Sequence, residues 1–344
     1  MTGPEFLFLS LEEVVACGGA DMTLAIDDLR KGFRLWSEGR ISLPQKTTLK
    51  PVGERHEHET GFINFLPSCV DTGGVEVFSC KAMGAMPSNL EAGLPRATGL
   101  ILLFDPKTKV PRCAMDAQVI SATRTGAVTA LAAGKLADPG AEEAGLVGAG
   151  VNMRTQLLGL KAALPGLKRA RVFARGRSKL AFAAAMSAKA GVEVVPVDSC
   201  EEALRGCPIV VTCLPNAPSP VVRTGWIRPG GVTLFNIGAF EMEPDVLRGM
   251  DRIVCDLWSH AKHRAQQTHA RAVEAGLIDE SRIEELPPIL AGTAPGRSGP
   301  GERIYFSPVG LGFEDALIAW RVYQAALQRG LGTRLSLWRS SEWI

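Results

Sequence analysis

Hydrophobic positions near the N-terminus follow two different periods. Leu24, Ile26, Leu29, Phe33 and Trp36 recur at helical spacing, and Gly39 follows as a stop signal, so an amphipathic helix is predicted here. Strand-like runs then occupy residues 61–66, 75–83, 99–104 and 111–116, the last two joined by a turn at 105–109. Strands joined by short turns, without helices between them, predict an antiparallel sheet.

The pattern of predicted elements changes after Thr123. An Ala-rich helix is predicted at 124–136, followed by strands at 144–147, 170–173, 192–197, 209–214, 232–237 and 253–257. Helical segments separate the first four of these strands, and strict alternation of strand and helix predicts an α/β fold with a Rossmann-type doubly wound parallel sheet. A last helix at 312–330 carries Phe313, Leu317, Trp320 and Tyr323 on one face, and by its length we expect it to pack onto the first domain. A Gly/Pro-rich stretch at 293–301 is expected to be a mobile loop.

Composition narrows the class of protein. The chain has 344 residues, 46% of them hydrophobic, which is enough for two domains. The formal net charge is +2 and no apolar stretch approaches the roughly 20 residues of a membrane helix, so neither nucleic acid nor membrane is an expected partner. The eight cysteines form no Cys-x-x-Cys pair, which favours reduced thiols in a cytoplasmic protein.

The most informative local motif is the glycine-rich segment at 145–153, after a predicted strand and at the start of a predicted helix. Gly148 permits a tight turn, and Gly150 lets the backbone approach a pyrophosphate whose charge the helix N-terminus stabilises. Met153 stands where the third glycine of the usual dinucleotide fingerprint is expected. The alternative is an ordinary strand-to-helix turn.

The end of the second parallel strand bears on the choice of dinucleotide. Arg175, Arg177 and Ser178 follow this strand, and no acidic residue occurs before Asp198. An NAD site usually has an acid here for the ribose hydroxyls, whereas guanidinium groups suit a 2′-phosphate. NADP(H) is therefore preferred as the cofactor, NAD(H) stays possible, and a solvated basic loop is the alternative.

Four segments together resemble the ornithine cyclodeaminase/mu-crystallin family. They are residues 81–84, 121–127, 148–151 with Gln156 one turn on, and 307–315. They span most of the chain in the family's order. Residues 295–297, 302–308, 323–324 and 332–333 are further similar to one branch of the family, the dehydrogenases that oxidise N-(2-amino-2-carboxyethyl)-glutamate and release 2,3-diaminopropionate in siderophore and antibiotic pathways.

The resemblance implies a homodimer, and it implies that the chain forms two domains with different functions. Residues 1–123 plus 312–344 would form an α+β substrate-binding and dimerisation domain, and residues 124–311 the dinucleotide-binding domain inserted into it. Lys81 and Arg124 would hold the substrate carboxylate, with Lys46 as a third group. A charged clamp of this kind fixes the Cα–H bond for hydride transfer. The predicted cofactor-binding residues are Thr125, Gly148, Gly150, Val151, Asn152, Met153, Arg175, Arg177, Ser178, Thr212, Val309 and Gly310.

Two further positions concern the chemistry. Aligned without a gap, Glu241 falls in the loop after the fifth parallel strand, where the family carries a carboxylate as acid/base. The cyclodeaminases of the family have a Glu in the strand before Lys81, where this chain has Asn64 as a substrate-binding candidate. An amide neither acts as a base nor pairs with a side-chain ammonium, which weakens the cyclodeaminase interpretation.

No metal site is expected. His56 and His58, and likewise His260 and His263, lack a third ligand at matching spacing. The resulting hypothesis is an NADP-preferring dehydrogenase or imine reductase acting on the Cα–N bond of an α-amino acid or an N-carboxyalkyl amino acid. The rivals are an ornithine or lysine cyclodeaminase with an internally recycled cofactor, and a non-catalytic NADPH-binding protein.

Overall fold

The structure is a computed structural model that describes residues 4–53, 61–215, 219–264 and 266–338. The chain divides into two compact units: unit 1 comprises Met1–Arg124 and Leu311–Ile344, and unit 2 comprises Thr125–Gly310. The assignment of substrate binding and dimerisation to the first unit, and of dinucleotide binding to the second, stays a prediction. In the part of the chain described here, no helix combines the length and hydropathy that a membrane crossing requires.

Unit 1 is built on a largely antiparallel sheet. Its described strands are β1 (Glu5–Leu9), β2 (Ile41–Ser42), β3 (Thr47–Leu49), β4 (Phe62–Asp71), β5 (Glu76–Ala85), β6 (Ala97–Phe104), β7 (Pro111–Asp116) and β16 (Thr333–Ser336). The order is β16-β1-β7-β6-β5-β4-β2, with β3 also paired to β4. The predicted antiparallel meander β4 to β7 is confirmed, whereas the edge adds a parallel pair between β1 and β7 that the sequence did not indicate.

The helices of the chain are α1 (Leu11–Ala16), α2 (Met22–Ser37), α3 (Gln118–Leu136), α4 (Val151–Ala163), α5 (Ser178–Ala190), α6 (Cys200–Leu204), α7 (Trp258–Ala261), α8 (Thr268–Glu274), α9 (Leu286–Ala291) and α10 (Gly312–Arg329). Helix α3 begins earlier than predicted, because the Asp116 carboxylate accepts hydrogen bonds from the backbone N–H groups of Gln118 and Val119 and so caps a turn that the sequence pattern left unassigned.

The two long helices of unit 1 pack against each other. Of the predicted positions of α2, Leu29 and Phe33 are buried, together with Ala25, whereas Leu24 is 41% exposed. The ring of Phe33 meets Phe313 of α10 edge to face, with 5.2 Å between ring centroids. Helix α10 therefore belongs to the core of unit 1, which confirms the expectation that the last helix packs onto the first domain.

Unit 2 is built on a parallel sheet of eight described strands. They are β8 (Glu143–Val147), β9 (Arg169–Phe173), β10 (Glu193–Pro196), β11 (Ile209–Thr212), β12 (Val232–Asn236), β13 (Arg252–Cys255), β14 (Ile283–Glu285) and β15 (Arg303–Ser307). Their order is β10-β9-β8-β11-β12-β15-β13-β14. The chain winds one way from β8 to β10 and the other way from β11, so the topological switch point lies between β8 and β11. Ligands of such sheets bind at the carboxyl ends of the strands beside the switch point.

Two details of unit 2 differ from the predictions. Strand β15 inserts between β12 and β13, at a segment where the sequence pattern predicted no strand. The Gly/Pro-rich stretch 293–301 is a loop, as predicted, but hydrogen bonds attach it to the rest of unit 2. The backbone N–H of Arg297 donates to the carbonyl of Lys135 at 2.8 Å. The Arg297 guanidinium donates to the Thr233 hydroxyl and to the carbonyl of Leu136.

Candidate active site

Lys81 lies on the buried face of the unit 1 sheet. Side chains of β4 and β5 alternate between a buried and a half-exposed face, and Lys81 pairs with Leu66 on the buried one. Its side chain is only 2% exposed. The ammonium lies 2.8 Å and 2.7 Å from the two carboxylate oxygens of Asp315 and donates to the Ser121 hydroxyl at 3.2 Å.

Arg124 is held at the same end of α10. Its Nη1 donates to the Glu314 carboxylate at 2.9 Å, and its Nε lies 3.6 Å from Asp315. Glu314 and Asp315 stand in the first turn of α10, where the helix dipole also favours negative charge. Lys81, Arg124, Glu314 and Asp315 thus form a four-charge cluster in unit 1.

The two acids of the four-charge cluster had no role in the sequence-based prediction. The available signal was a pair of consecutive acids at the start of a predicted helix, inside the segment 307–315 that resembles the family. Nothing local links Asp315 to Lys81, because 234 positions separate them. Each of the two cations predicted to hold the substrate carboxylate therefore forms an ion pair with an acid: Lys81 with Asp315 and Arg124 with Glu314.

Burial dominates the electrostatics of Lys81. Loss of water lowers the pKa of its ammonium to about 8; Asp315 opposes this shift and Arg124 adds to it. Among the described residues, Asp315 and Ser121 engage two of the three N–H donors of this ammonium, and the third has no acceptor there. The lowered pKa makes Lys81 easier to deprotonate than an exposed lysine.

Asn64 and Lys46 lie next to Lys81 in the register of the sheet. Asn64 pairs with Met83 on one side and with Thr48 on the other, so it points to the same face as Leu66 and Lys81. The Thr48 hydroxyl donates to the Asn64 amide oxygen at 2.7 Å. Lys46 immediately precedes β3 and is half-buried. Extending the β3–β4 register by one residue sets Lys46 beside Leu66, in the row that contains Lys81.

In unit 2, the glycine-rich turn follows β8 and leads into α4. Gly148 has φ +117°, and a Cβ there would overlap the carbonyl oxygen of Cys213, so only glycine fits. Gly150 differs: its backbone is extended, and a Cβ there would meet nothing within 4 Å. The N-terminus of α4 has no side-chain cap among the described residues. Space above Gly150 and uncapped N–H groups are what a pyrophosphate requires, so these residues fit a dinucleotide.

The remaining predicted residues of the turn divide by exposure. Val151 and Asn152 are exposed at the start of α4. Met153 is fully buried, so it fills the core where a third glycine would permit closer packing. Thr125 of α3 is buried at 7% exposure. Gln156, one turn into α4, is fully buried, and neither polar atom of its amide has a hydrogen-bond partner among the described residues.

The basic residues after β9 are open to solvent. Arg175, Arg177 and Ser178 are exposed at the N-terminus of α5, and the Ser178 hydroxyl donates to the carbonyl of Arg175. Neither guanidinium forms an ion pair with a residue that the structure describes. Two cations without acidic partners at the carboxyl end of β9 fit an anionic group on the ribose of a dinucleotide.

Glu241 is enclosed rather than open. Its side chain is 1% exposed, and its two oxygens accept hydrogen bonds from Thr212, Leu214, Asn236 and Gly238. Burial raises the pKa of this carboxyl to about 7, although all four donors favour the anion. Both carboxylate oxygens are thus engaged inside unit 2, and the acid/base role expected of Glu241 stays a prediction. Thr212, predicted as a cofactor contact, is likewise fully buried and donates to Glu241.

The segment after β15 is fixed by an acid that sequence reasoning missed. The backbone N–H groups of Val309 and Gly310 donate to one oxygen of the Asp256 carboxylate at 2.8 Å and 2.7 Å. Asp256 follows β13 and is fully buried. The Asp256 carboxylate therefore holds the turn at Val309 and Gly310, at the carboxyl end of β15.

No group of three or more His, Cys, Asp or Glu residues in the described part of the chain is placed to hold an ion. His56 and His58 lie outside the described residues.

Three comparisons connect this geometry to known proteins. The model of the ornithine cyclodeaminase/mu-crystallin family matches residues 8–330. N-((2S)-2-amino-2-carboxyethyl)-L-glutamate dehydrogenase of Staphylococcus aureus is 27% identical over 340 residues, 97% of this chain and 99% of the relative. Among solved structures, Thermococcus litoralis Δ1-pyrroline-2-carboxylate reductase in complex with NADH and L-proline has a TM-score of 0.86 and 31% identity, covering 95% of this chain and 99% of its own. An archaeal alanine dehydrogenase dimer with bound NAD has a TM-score of 0.84 and 26% identity, covering 97% of this chain and all of its own.

Proposed function

Because this chain belongs to the ornithine cyclodeaminase/mu-crystallin family, we propose that it is an NAD(P)-dependent oxidoreductase acting on the Cα–N bond of an amino acid or an N-carboxyalkyl amino acid. The observation that carries the proposal is the glycine turn at the switch point of unit 2, with open space at Gly150 and an uncapped helix behind it. Relatives over nearly the whole chain are named as oxidoreductases of amino acids and cyclic imines.

The dinucleotide would be held by unit 2. Gly148 shapes the turn, Gly150 leaves room, and the first N–H groups of α4 would donate to the pyrophosphate. When bound, the nicotinamide supplies the hydride acceptor or donor. The turn at Val309 and Gly310 would support the ring through backbone atoms.

The substrate carboxylate would be held by unit 1. Lys81 offers its third N–H donor, and Arg124 adds a planar guanidinium that suits a carboxylate. Asp315 and Glu314 hold both cations in place, so little side-chain freedom is lost when the substrate binds. Lys46 and Asn64 of the same face would contact the rest of the substrate. A fixed carboxylate would orient the Cα–H bond of the substrate for hydride transfer.

A spectrophotometric screen tests the proposal. The protein is mixed with α-amino acids, N-carboxyalkyl amino acids and cyclic imino acids, with either nicotinamide dinucleotide, and the absorbance of the reduced nicotinamide is followed. Turnover-dependent change with one substrate class is the expected result. Ammonia release from ornithine or lysine without net change in absorbance would instead show a cyclodeaminase. Tight NADPH binding without any turnover would show a binding protein.

We further propose that NADP(H) is preferred over NAD(H). Replacing both Arg175 and Arg177 by alanine is expected to raise the Kd for NADPH by roughly 10- to 100-fold, because each charge-assisted hydrogen bond to a 2′-phosphate is lost. The Kd for NADH should stay within about threefold of the native value. Both constants are measured by nicotinamide fluorescence. Lys189→Ala, at the opposite end of α5, is the matched control. Equal loss for both dinucleotides would contradict a 2′-phosphate contact.

The second face of the unit 1 sheet supports the proposal of a homodimer. The side chains opposite to the Lys81 face are apolar and only half-buried; they form the rows Phe65–Ala82–Leu100, Pro67–Cys80–Leu102 and Cys69–Phe78–Phe104. Leu100 is 42% exposed and Ile63 is 40% exposed. A contiguous apolar sheet face of this kind marks an interaction surface, and a second copy of the chain presents the same face. A solved relative is a dimer.

Placing a charge on this face is expected to separate the protomers. Leu100→Asp should weaken the dimer by at least roughly 100-fold, because a twofold axis brings the buried carboxylate into the interface twice. Analytical ultracentrifugation across a concentration series measures the change. Leu180→Asp, at a similarly exposed leucine of α5 (48%), should leave the assembly intact. A Leu100→Asp protein with the native sedimentation profile would place the interface elsewhere.

A further inference from the structure

The enclosed carboxylate of Glu241 joins two loops that lie far apart in sequence. Thr212 ends β11 and Leu214 follows it; Asn236 ends β12 and Gly238 follows it. The Thr212 hydroxyl and the Asn236 amide each donate to one oxygen of Glu241 at 2.6 Å, and the N–H of Gly238 donates to the same oxygen at 3.1 Å. The N–H of Leu214 donates to the other oxygen. All four groups that contact the carboxylate are hydrogen-bond donors, as an anionic carboxylate requires.

The surroundings are shaped around this carboxylate. A Cβ at Gly238 would overlap both the carboxyl carbon and an oxygen of Glu241. The Asn236 amide is itself fixed, since its oxygen accepts from Thr268 at 2.8 Å and from Tyr305 at 2.9 Å. The backbone carbonyl of Glu241 additionally accepts from Val221 and Val222. A buried polar network that is satisfied on all sides rigidifies the segments it joins.

One of the two joined loops forms the wall of the dinucleotide turn. The N–H of Cys213 donates to the carbonyl of Val147 at 3.0 Å, and the Cys213 carbonyl occupies the place that a Cβ of Gly148 would take. Cys213 lies between Thr212 and Leu214, the two residues of this loop that donate to Glu241. A single residue, Cys213, therefore separates the two donors to Glu241 from the glycine turn.

We propose that Glu241 is a positioning residue that braces the loops after β11 and β12 against the glycine turn, and that it sets the affinity for the dinucleotide instead of exchanging protons with the substrate. This inference rests on the proposed dinucleotide binding. It differs from the acid/base role because it assigns the effect of Glu241 to cofactor binding and not to turnover.

Glu241→Gln tests the proposal, because glutamine keeps the size of the side chain but turns one acceptor into an N–H₂ donor that faces other donors. We expect the Kd for NADPH to rise by roughly 10- to 100-fold. At saturating dinucleotide, kcat and the KM for the amino-acid substrate should stay within about threefold of native values. Glu243→Gln is the matched control: Glu243 lies in the same loop and accepts from Thr224, away from β11 and β12.

The outcomes separate three explanations. A large loss of kcat at saturating dinucleotide with an unchanged Kd would overturn the proposal and restore the acid/base role. If Glu241→Gln does not fold, Thr212→Val removes one donor to the brace with less disturbance, and it should still raise the Kd for NADPH by roughly 3- to 10-fold; an unchanged Kd in that variant would equally overturn the proposal. Failure of the native protein to bind either dinucleotide would instead reject the proposed function.

Discussion

Lys81→Met is expected to lower the free energy of unfolding by about 3–5 kcal/mol. Methionine fills a similar volume, but it leaves Asp315, which is 1% exposed, as an acid without its nearest cation. A buried charge that loses its partner keeps its full desolvation cost. Urea denaturation of the native and variant proteins, followed by circular dichroism, measures the difference.

The double variant Lys81→Met/Asp315→Leu is the informative control. Removing both charges also removes the cost of burying them, which already depresses the pKa of Lys81 to about 8. The double variant should therefore recover most of the free energy of unfolding, or exceed the native value. Its oxidoreductase activity should be lost, because the Lys81 ammonium is absent. A double variant as unstable as the single one would show that the pair is not coupled as described.

Gly150→Val is expected to weaken dinucleotide binding by at least roughly 100-fold without unfolding the protein. The backbone at Gly150 has φ −80° and ψ −176°, which valine adopts readily, and its Cβ would meet no protein atom within 4 Å. The added methyl groups would instead occupy the space into which a pyrophosphate must come. Fluorescence titration with NADPH measures the affinity, and thermal unfolding without dinucleotide measures the fold.

Gly148→Ala serves as the comparison, because it should fail for a different reason. Its φ of +117° is outside the range of alanine, and a Cβ there would overlap the Cys213 carbonyl. That variant should lose stability even without dinucleotide. Should Gly150→Val bind NADPH with native affinity, the pyrophosphate does not lie at this turn.

The sequence predicted the elements that local periodicity or short motifs encode. The glycine turn was recognisable because the apolar strand, the glycines and the following helix are consecutive along the chain. The antiparallel meander was recognisable because short turns link its strands. The insertion of β15 between β12 and β13 was not, since a five-residue apolar strand carries no information about its neighbours in the sheet.

Sequence reasoning missed the interactions between residues that are distant in the chain and that only the fold brings together. Lys81 and Arg124 were singled out as cations, but their acids Asp315 and Glu314 come from a helix near the other end of the chain. The surroundings of Glu241 are assembled from the ends of two strands, so its enclosure follows from sheet order and not from any motif. Asp256 was overlooked for the same reason: only the adjacency of β13 and β15 brings it to Val309 and Gly310.

The four-charge cluster of unit 1 contains two cations and two anions, so its net charge is zero. Beyond a Debye length of about 10 Å, such a set neither draws anions in nor repels cations. Recognition of a carboxylate by Lys81 and Arg124 would consequently depend on contact at hydrogen-bonding range. Free phosphate, chloride and other simple anions would compete poorly there, and moderate changes in ionic strength would leave the capture of a zwitterionic amino acid almost unaltered.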